Sequence, residues 1–356
     1  MAVSYRATSK IATNLSDNLC RWNGAHAGHY EVWFVTLNHR ASKHGFWFRY
    51  TLSIPDKNRS SEHAKILAPH PNTGLWAAAF DHARPEENFA LKCEYDLDRF
   101  EFDREEGFRL KICEGVFSPS HASGQITNEG RRIAWDLSFV PNNKTYHHVT
   151  RAVKMLARPS SFICSPNLDA RFTGVINVDG REFILEDEPG CQSHLWGRKR
   201  TDEWVWVHSN AFENRPDTVF EGLAARSRVA GRTMPPLLSL FLRHRGEDHH
   251  FTRVRMAEQW RRNLGIGFWA FSAMNSRIYI EGTAQCRMKD MLQVEYDDPD
   301  GERLYCLNSE VANLKIRIFR RFRGIRWRHV ETIKARSTAH LEHAARQIDP
   351  LVRMAF

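Results

Sequence analysis

One predicted strand carries two indoles, an imidazole and a carboxamide on a single face. In the run EWVWVHSNAF the side chains of an extended chain alternate, so Trp204, Trp206, His208 and Asn210 point one way and the valines between them point the other. A solidly packed face rarely mixes such groups, because each buried polar group needs a hydrogen-bond partner. A cavity wall tolerates the mixture. The pattern therefore predicts an aromatic ligand pocket.

Three residues in and around this strand could transfer protons. His194 and Trp196 lie two apart and share a face if their segment is extended, and Glu221 follows in the strand-like run TVFEGLAAR. Histidine and carboxylate side chains are the usual general acids and bases. We take His194, Glu221 and His208 as the catalytic candidates. The alternative stays open that the tryptophans form a structural core and that backbone groups satisfy the histidines.

Two aromatic runs near the N terminus supply further candidate contacts. Residues 29–37, HYEVWFVTL, and 45–54, GFWFRYTLSI, are predicted to be adjacent strands. Glu31 and Trp33 share one face of the first strand, and Trp47 and Arg49 share one face of the second. Glu31 and Arg49 could therefore form an ion pair across the strands. The predicted substrate-binding residues are Glu31, Trp33, Trp47, Arg49, Trp196, Trp204, Trp206 and Asn210.

The composition is that of a globular protein rich in aromatic residues. Of 356 residues, 12% are aromatic, including 11 Trp and 22 Phe, which favours strands and pockets. Seven cysteines without a CxxC pair predict reduced, mostly buried thiols, and no HExxH or paired CxxC spacing indicates a metal site. We also predict no cofactor. Since no leader-like or membrane-length apolar run is found, we expect a cytoplasmic protein.

A net charge of +9 allows attraction to phosphate-bearing partners. The basic run KIRIFRRFRGIRWRH, residues 315–329, interleaves arginine with aromatic residues. A solvated strand is the favoured interpretation. Peripheral docking on an anionic membrane is a second one, which would help to load an apolar ligand, and single-stranded nucleic-acid binding is the least favoured.

Short aromatic and β-branched runs bounded by turn residues recur along the whole chain, and Asp179-Gly180 is the strongest hairpin signal. They predict a mainly antiparallel β protein. Helical spacing predicts a short helix over Tyr146–Ala157 and a C-terminal helix over Ala335–Val352. Because the run ARPSSFICSPN, residues 157–167, is typical of a connection, we predict domains at 1–160 and 161–356.

The chain resembles a known group of proteins at these residues. Pro189-Gly190, then Gln192-Ser193-His194-x-Trp196-Gly197 and the alternating run from Trp204 to Phe212, are similar to the calycin-related double lipocalin-like proteins. The runs YEVW, from Tyr30, and GFWxRY, from Gly45, are similar to the opening strands of that group. It includes carotenoid 1,2-hydratases, tocopherol cyclases, related isoprenoid and Diels–Alder cyclases, and a ceramide carrier. The resemblance implies two lipocalin-like β-barrels side by side, with the ligand site near their junction.

The same resemblance implies a reaction class. The hydratases and cyclases of that group protonate an alkene and guide the resulting cation, which needs an acid, aromatic faces and exclusion of water. In the hydratases a His-x-Trp pair works with a Tyr-x-Asp pair. His194 and Trp196 match the first pair, but Phe220 and Glu221 stand where the second is expected. Glu221 could replace the missing acid.

Two functions are therefore expected from the sequence. The first is a cofactor-free hydratase or cyclase that acts on an isoprenoid or fatty molecule. The second is a carrier or sensor that binds such a lipid in the same cavity without changing it.

Overall fold

The computed structural model describes residues 16–56, 70–103, 108–149, 160–229, 232–234, 236–251, 264–322 and 326–356. Nearly all regular structure in these ranges is antiparallel β-strand, as the sequence predicts. Helix is confined there to residues 16–18 and to three 3₁₀ turns, Pro85–Glu87, Leu97–Arg99 and Met288–Asp290. In this part of the chain no helix is long and apolar enough to cross a bilayer.

The first sheet has 12 strands. Its hydrogen-bonded order is β4-β3-β2-β1-β12-β11-β9-β8-β7-β6-β5, with β10 paired to β11. The strand bounds are β1 (His29–His39), β2 (His44–Ile54), β3 (Asn72–Asp81), β4 (Phe89–Asp96), β5 (Phe100–Asp103), β6 (Arg109–Ile112), β7 (Gly115–Ser118), β8 (His121–Asn128), β9 (Arg131–Phe139), β10 (Tyr146–His147), β11 (Ser161–Val178) and β12 (Arg181–Gly197).

The second sheet has ten strands, in the order β18-β17-β14-β13-β24-β23-β21-β20-β19, with β22 paired to β23. A separate hairpin joins β15 (Arg228–Val229) to β16 (Arg232–Thr233). The bounds of the sheet strands are β13 (Glu203–Ser209), β14 (Val219–Arg226), β17 (Leu237–His244), β18 (Glu247–Phe251), β19 (Leu264–Gly265), β20 (Phe268–Met274), β21 (Ile278–Gln285), β22 (Leu292–Asp297), β23 (Arg303–Phe322) and β24 (Arg326–Ala345).

Side-chain alternation divides the apolar residues among three layers. Each sheet curls around its own core, to which β1 contributes Trp33 and β13 contributes Val205 and Val207. The other faces of the same strands meet in a third buried layer between the sheets, which contains Phe34 and Trp206. The architecture is the double lipocalin-like arrangement, and its two β units face each other through β1, β2, β12, β13 and β24.

The sheets approach closely at Gly45 in β2. A Cβ atom built there would lie 2.5 Å from both Cβ and the backbone oxygen of Glu310 in β23. We predict that Gly45→Ala lowers the free energy of unfolding by about 1–3 kcal/mol, because backbone cannot yield as a flexible side chain can. Gly265→Ala in β19 is the matched control, since nothing lies within 4 Å of its added Cβ. Equal urea midpoints for the two variants would contradict this close approach.

The predicted C-terminal helix over Ala335–Val352 is wrong. Residues up to Ala345 belong to β24, which pairs with both β13 and β23. Alanine, leucine and glutamate favour helices, but strand pairing and burial on both faces override that propensity. The helix predicted over Tyr146–Ala157 is a strand at Tyr146–His147, and residues 150–157 lie outside the described ranges.

The chain passes from the first sheet to the second at a different point from the predicted domain boundary. Residues 161–167 are not a connection, because they begin β11, and β11 and β12 are hydrogen-bonded into the first sheet. The second sheet begins only at Glu203. The boundary between 160 and 161 stays a prediction, and the sheet connectivity would instead favour one between Gly197 and Glu203.

Candidate active site

A cavity of about 1130 Å³ lies between the two sheets. The first sheet contributes apolar wall residues from β1, β11 and β12, and the second contributes residues from β13 and β14. The apolar residues that define these walls are Val32, Phe34, Ile163, Leu195, Trp204, Trp206 and Leu223. Since each points away from its own barrel core, alternation within these strands creates the cavity.

Aromatic rings surround Tyr296, which lies on β22. Its ring centroid is 5.6 Å from that of Trp76 and 6.3 Å from that of Trp204, to which it is nearly parallel. Phe356 meets Trp76 edge-on at 5.0 Å. All four side chains line the cavity. The π faces of such rings can stabilise a positive charge that develops in a bound molecule.

Arg49 is the buried cation of the cavity. One guanidinium nitrogen donates to the hydroxyl oxygen of Tyr296, and the other donates to Glu342 Oε1 at 2.6 Å. The guanidinium carbon also lies 4.5 Å from the ring centroid of Trp47. These contacts hold the Tyr296 phenol, the Arg49 guanidinium and the Glu342 carboxylate together at the cavity wall.

Phenols are the uncharged acidic groups of this wall. Every carboxylate among the described lining residues has an arginine or lysine partner: Glu94 with Lys92, Glu295 and Asp297 with Arg303, Asp298 with Arg200, and Glu342 with Arg49. Burial raises the pKa of Tyr296 well above its usual value, although Arg49 acts in the opposite direction. Burial likewise raises the pKa of Tyr30 to about 12. Both phenols therefore keep their protons at neutral pH.

The sequence-predicted substrate contacts divide between this cavity and other places. Trp204, Trp206 and Arg49 line it, whereas Trp47 lies beneath Arg49 in the same buried layer. Asn210 does not line the cavity and donates to the backbone oxygens of Ala170 and Gly190. It therefore ties the two sheets together rather than facing the cavity.

His208 and Glu221 form a fully buried polar network behind Trp206. Glu221 accepts from the Trp206 indole at 2.7 Å and lies 3.0 Å from His208 Nδ1 and 2.9 Å from His148 Nε2. Burial alone would raise the pKa of Glu221, but His148 and His208 outweigh it and lower that pKa to about 2. Burial alone would lower the pKa of His208, but Cys191 and Glu221 outweigh it and raise that pKa to about 10. Neither side chain lines the cavity.

His194, Trp196, Glu31 and Trp33 lie on the opposite face of β1 and β12 from the cavity. His194 Nε2 is 2.8 Å from Glu31 Oε1, and its ring stacks on Trp33 at 4.8 Å. The same carboxylate also accepts from the backbone nitrogens of Arg21 and Trp22. This network anchors the segment that precedes β1. Burial alone would raise the pKa of Glu31, but His194 and His29 outweigh it and lower that pKa to about 2.

The expected ion pair between Glu31 and Arg49 is wrong. Arg49 lies directly opposite Phe34 in the β1–β2 register, and Glu31 lies opposite Leu52. Glu31 and Phe34 differ by an odd number of positions, so Glu31 and Arg49 point to opposite faces. Arg49 pairs with Glu342 instead.

The cavity residues that the sequence predictions did not include are led by Trp76, Tyr296 and Glu342. Alternation along LQVEYD, residues 292–297, places Tyr296 on one face with Val294, which is the signal that could have identified it. The sequence gives no such signal for Glu342, because its segment is predicted to be a helix.

The basic segment 315–329 lies in the hairpin of β23 and β24, except residues 323–325, which are outside the described ranges. Lys315, Arg317 and Arg321 are exposed, as alternation predicts, and Arg317 pairs with Glu281 at 2.7 Å. Contact of this face with an anionic membrane stays a prediction, as does nucleic-acid binding.

The two β units and the cavity between them define a double lipocalin-like fold. A family model for tocopherol cyclase-like proteins matches residues 27–344. The chain belongs to the tocopherol cyclase-like family, so the resemblance seen in the sequence is confirmed.

Similar proteins match most of the chain at low identity. An uncharacterized protein of Mycobacterium tuberculosis, MT0513 in strain CDC 1551 and Rv0493c in strain H37Rv, is 23% identical over 308 residues, which cover 84% of each chain. An AttH-like protein of Nitrosomonas europaea superposes with a TM-score of 0.51 at 13% identity, covering 91% of this chain and 95% of that one. The crystal structure of CghA gives 0.51 at 10% identity, covering 89% and 88%. These superpositions establish the shared fold.

Proposed function

We propose that the cavity between the sheets binds an apolar, isoprenoid-type molecule and promotes its cyclisation or hydration. The observation that carries the proposal is the Tyr296 phenol, held by Arg49 beside the indoles of Trp76 and Trp204 at the wall of a large, mostly apolar cavity. Membership of the tocopherol cyclase-like family supports the same reaction class.

The cavity suits a large hydrophobic ligand. Typical ligand pockets measure about 300–1,000 Å³ and are mostly apolar with few polar groups. This one, at about 1130 Å³, exceeds that range. Its charged residues include Arg200 and Asp298, which pair with each other at 3.0 Å. An extended isoprenoid chain would bury its apolar surface against Phe34, Trp206 and Leu223.

The phenol would act as the proton donor. The Tyr296 hydroxyl proton would form a C–H bond with one alkene carbon, using the electron pair of the π bond, and the other carbon would become cationic. A substrate hydroxyl, or a water molecule, would then attack that carbon and return its own proton to the Tyr296 oxygen. Arg49 would stabilise the transient phenolate, since its guanidinium already donates to that oxygen, and this would offset the burial that raises the pKa of the phenol and weakens it as an acid.

Trp206 would stabilise the cation from the adjacent wall. Its indole N–H donates to the Glu221 carboxylate at 2.7 Å, which increases the electron density of the ring. The role we infer for Glu221 is therefore to orient and polarise Trp206, rather than to donate the proton as the sequence suggests.

Binding is tested by filling the cavity. We predict that Leu223→Trp lowers the amount of lipid that co-purifies with the protein by about tenfold, because the larger side chain occupies ligand space. Lipids would be extracted and quantified by mass spectrometry. Ile184→Trp is the matched control, since Ile184 is 64% exposed and lies outside the cavity. Equal lipid content in both variants would show that the ligand binds elsewhere.

A second function, lipid carriage without chemistry, is favoured by one observation. Each carboxylate that lines the cavity within the described ranges is paired with a cation, which leaves phenols as the acids. Incubation with a geranylgeranyl hydroquinone separates the two functions. Cyclisation would give a product of equal mass and different retention, hydration would add the mass of water, and a carrier would return the probe unchanged.

A further inference from the structure

We infer that Cys191, His208, His340 and Glu310 form a buried zinc site that joins the two sheets behind the cavity. The thiol and imidazole ligand atoms of Cys191, His208 and His340 all lie within 4.8 Å of one another. Their spacing along the chain gives no motif, because β12, β13 and β24 come together only in the folded protein.

The two imidazoles are oriented for metal binding by their other nitrogens. His208 Nδ1 lies 3.0 Å from Glu221, so it is Nε2 that faces the cluster, and this buried nitrogen has no hydrogen-bond partner. His340 Nε2 lies 3.0 Å from Asn38 Oδ1, so it is Nδ1 that faces the cluster, where it is 2.6 Å from the Thr36 hydroxyl oxygen. Asn38 is itself fixed, since its amide nitrogen donates to the Glu310 backbone oxygen at 2.7 Å. Carboxylate and amide partners of this kind hold the histidines of known metal sites.

Glu310 supplies the fourth donor. Its side chain is completely buried, and neither carboxylate oxygen has a hydrogen-bond partner. Oε2 lies 3.6 Å from His340 Nδ1, on the cluster side of the ring. A buried carboxylate without any donor is costly, and a bound cation would remove that cost.

One thiolate, two imidazoles and one carboxylate match the ligand preference of Zn²⁺. Zinc would take the place of the protons that these donor atoms carry in the metal-free protein. At Zn–S and Zn–N distances of about 2.3 and 2.0 Å, the ligand atoms would need to close to roughly 3.5 Å from one another, which side-chain rotation can supply. Zinc at His340 Nδ1 would displace the Thr36 hydroxyl from that nitrogen, and the hydroxyl, 3.3 Å from Cys191 Sγ, could then donate to the thiolate.

The site would be structural. All four ligands are buried and none lines the cavity, so four protein donors would close the coordination sphere. Cys191 belongs to the first sheet, and His208, His340 and Glu310 belong to the second. Zinc would therefore clamp the sheets together next to Trp206, whose ring centroid is 6.3 Å from that of His340.

The test measures metal content rather than activity. Protein from zinc-supplemented cells, dialysed against a chelator, should contain about one zinc ion per chain by plasma mass spectrometry, and its X-ray absorption should show one sulfur ligand. Cys191→Ser and His340→Gln should each retain less than about a tenth of that zinc. Cys306→Ser is the control, because Cys306 is equally buried in the layer between the sheets but lies outside the cluster.

Unfolding of the variants cannot obscure the result. Wild-type protein refolded with zinc should melt at a higher temperature than the same protein refolded with a chelator, because zinc binds only the folded ligand set. Metal-free protein from zinc-rich cells, with identical melting in zinc and in chelator, would overturn the inference. So would bound zinc that Cys191→Ser retains.

Discussion

Tyr296→Phe should reduce the turnover of a geranylgeranyl hydroquinone by about 100-fold or more, because a positioned general acid contributes about 10²–10⁴-fold. The ring, and with it the aromatic wall formed with Trp76 and Trp204, remains in place. KM should therefore change by no more than about fivefold, the worth of one hydrogen bond. Product formation would be followed by chromatography and mass spectrometry.

Tyr30→Phe is the matched control for this experiment. Tyr30 is also a buried phenol at the cavity wall, but its hydroxyl contacts Ser161 at 2.6 Å instead of an arginine. We expect its turnover to stay within about threefold of wild type, because no guanidinium donates to its hydroxyl oxygen: Arg200 lies over the face of its ring instead, 4.0 Å from the centroid. Equal losses in both variants would mean that the phenols shape the cavity without donating a proton. Unchanged turnover in Tyr296→Phe would reject the assignment of the acid.

Arg49→Met should lower the free energy of unfolding by about 3–5 kcal/mol, which would be the largest stability effect we expect from one substitution at the cavity. Loss of the guanidinium leaves Glu342 as a buried carboxylate whose remaining donor is the Trp204 indole at 3.4 Å. Urea unfolding monitored by tryptophan fluorescence would measure the change.

A double-mutant cycle identifies the cause of that loss. Arg49→Met combined with Glu342→Leu should recover most of the stability, because replacing both members of a buried pair with apolar residues is often neutral. Arg317→Met is the control for a surface pair, and its loss of the Glu281 contact should cost less than about 1 kcal/mol. If the double variant is no more stable than Arg49→Met, the lost stability does not come from an uncompensated Glu342.

Much of the fold follows from local sequence rules. The turn at Asp179-Gly180 joins β11 to β12, as its residue types predict. The 204–210 segment alternates as expected, with Trp204 and Trp206 on one face and Val205 and Val207 on the other. Both rules depend on neighbouring residues, which is why one sequence is enough to apply them.

The errors arise where pairing between distant segments decides the result. Arg49 forms its ion pair with Glu342, which is 293 positions away in the sequence. No local sequence pattern shows that Arg49 pairs with Glu342 rather than with Glu31. In β24, helix-favouring residues form a strand because β13 and β23 hydrogen-bond to its two edges. Because β24 is predicted to be a helix, neither Glu342 nor His340 is among the predicted site residues.

The catalytic candidates show a different limit. Alternation places His194 and Trp196 on one face, but it does not tell which side of the sheet holds the cavity. That choice depends on where the second sheet packs. His194 lies in the network that anchors the chain before β1, and its catalytic role stays a prediction. Alternation places Tyr296 on a face with Val294, but it does not distinguish Tyr296 from the aromatic residues of other strands.

A crystal structure of the protein with a bound geranylgeranyl hydroquinone is the most direct test of the central claim. The proposal predicts electron density for the ligand between the sheets, against the Trp204 and Trp206 rings, with a reacting double bond near the Tyr296 hydroxyl. Ligand density inside either barrel core, or on the side of β12 that carries His194, would contradict it.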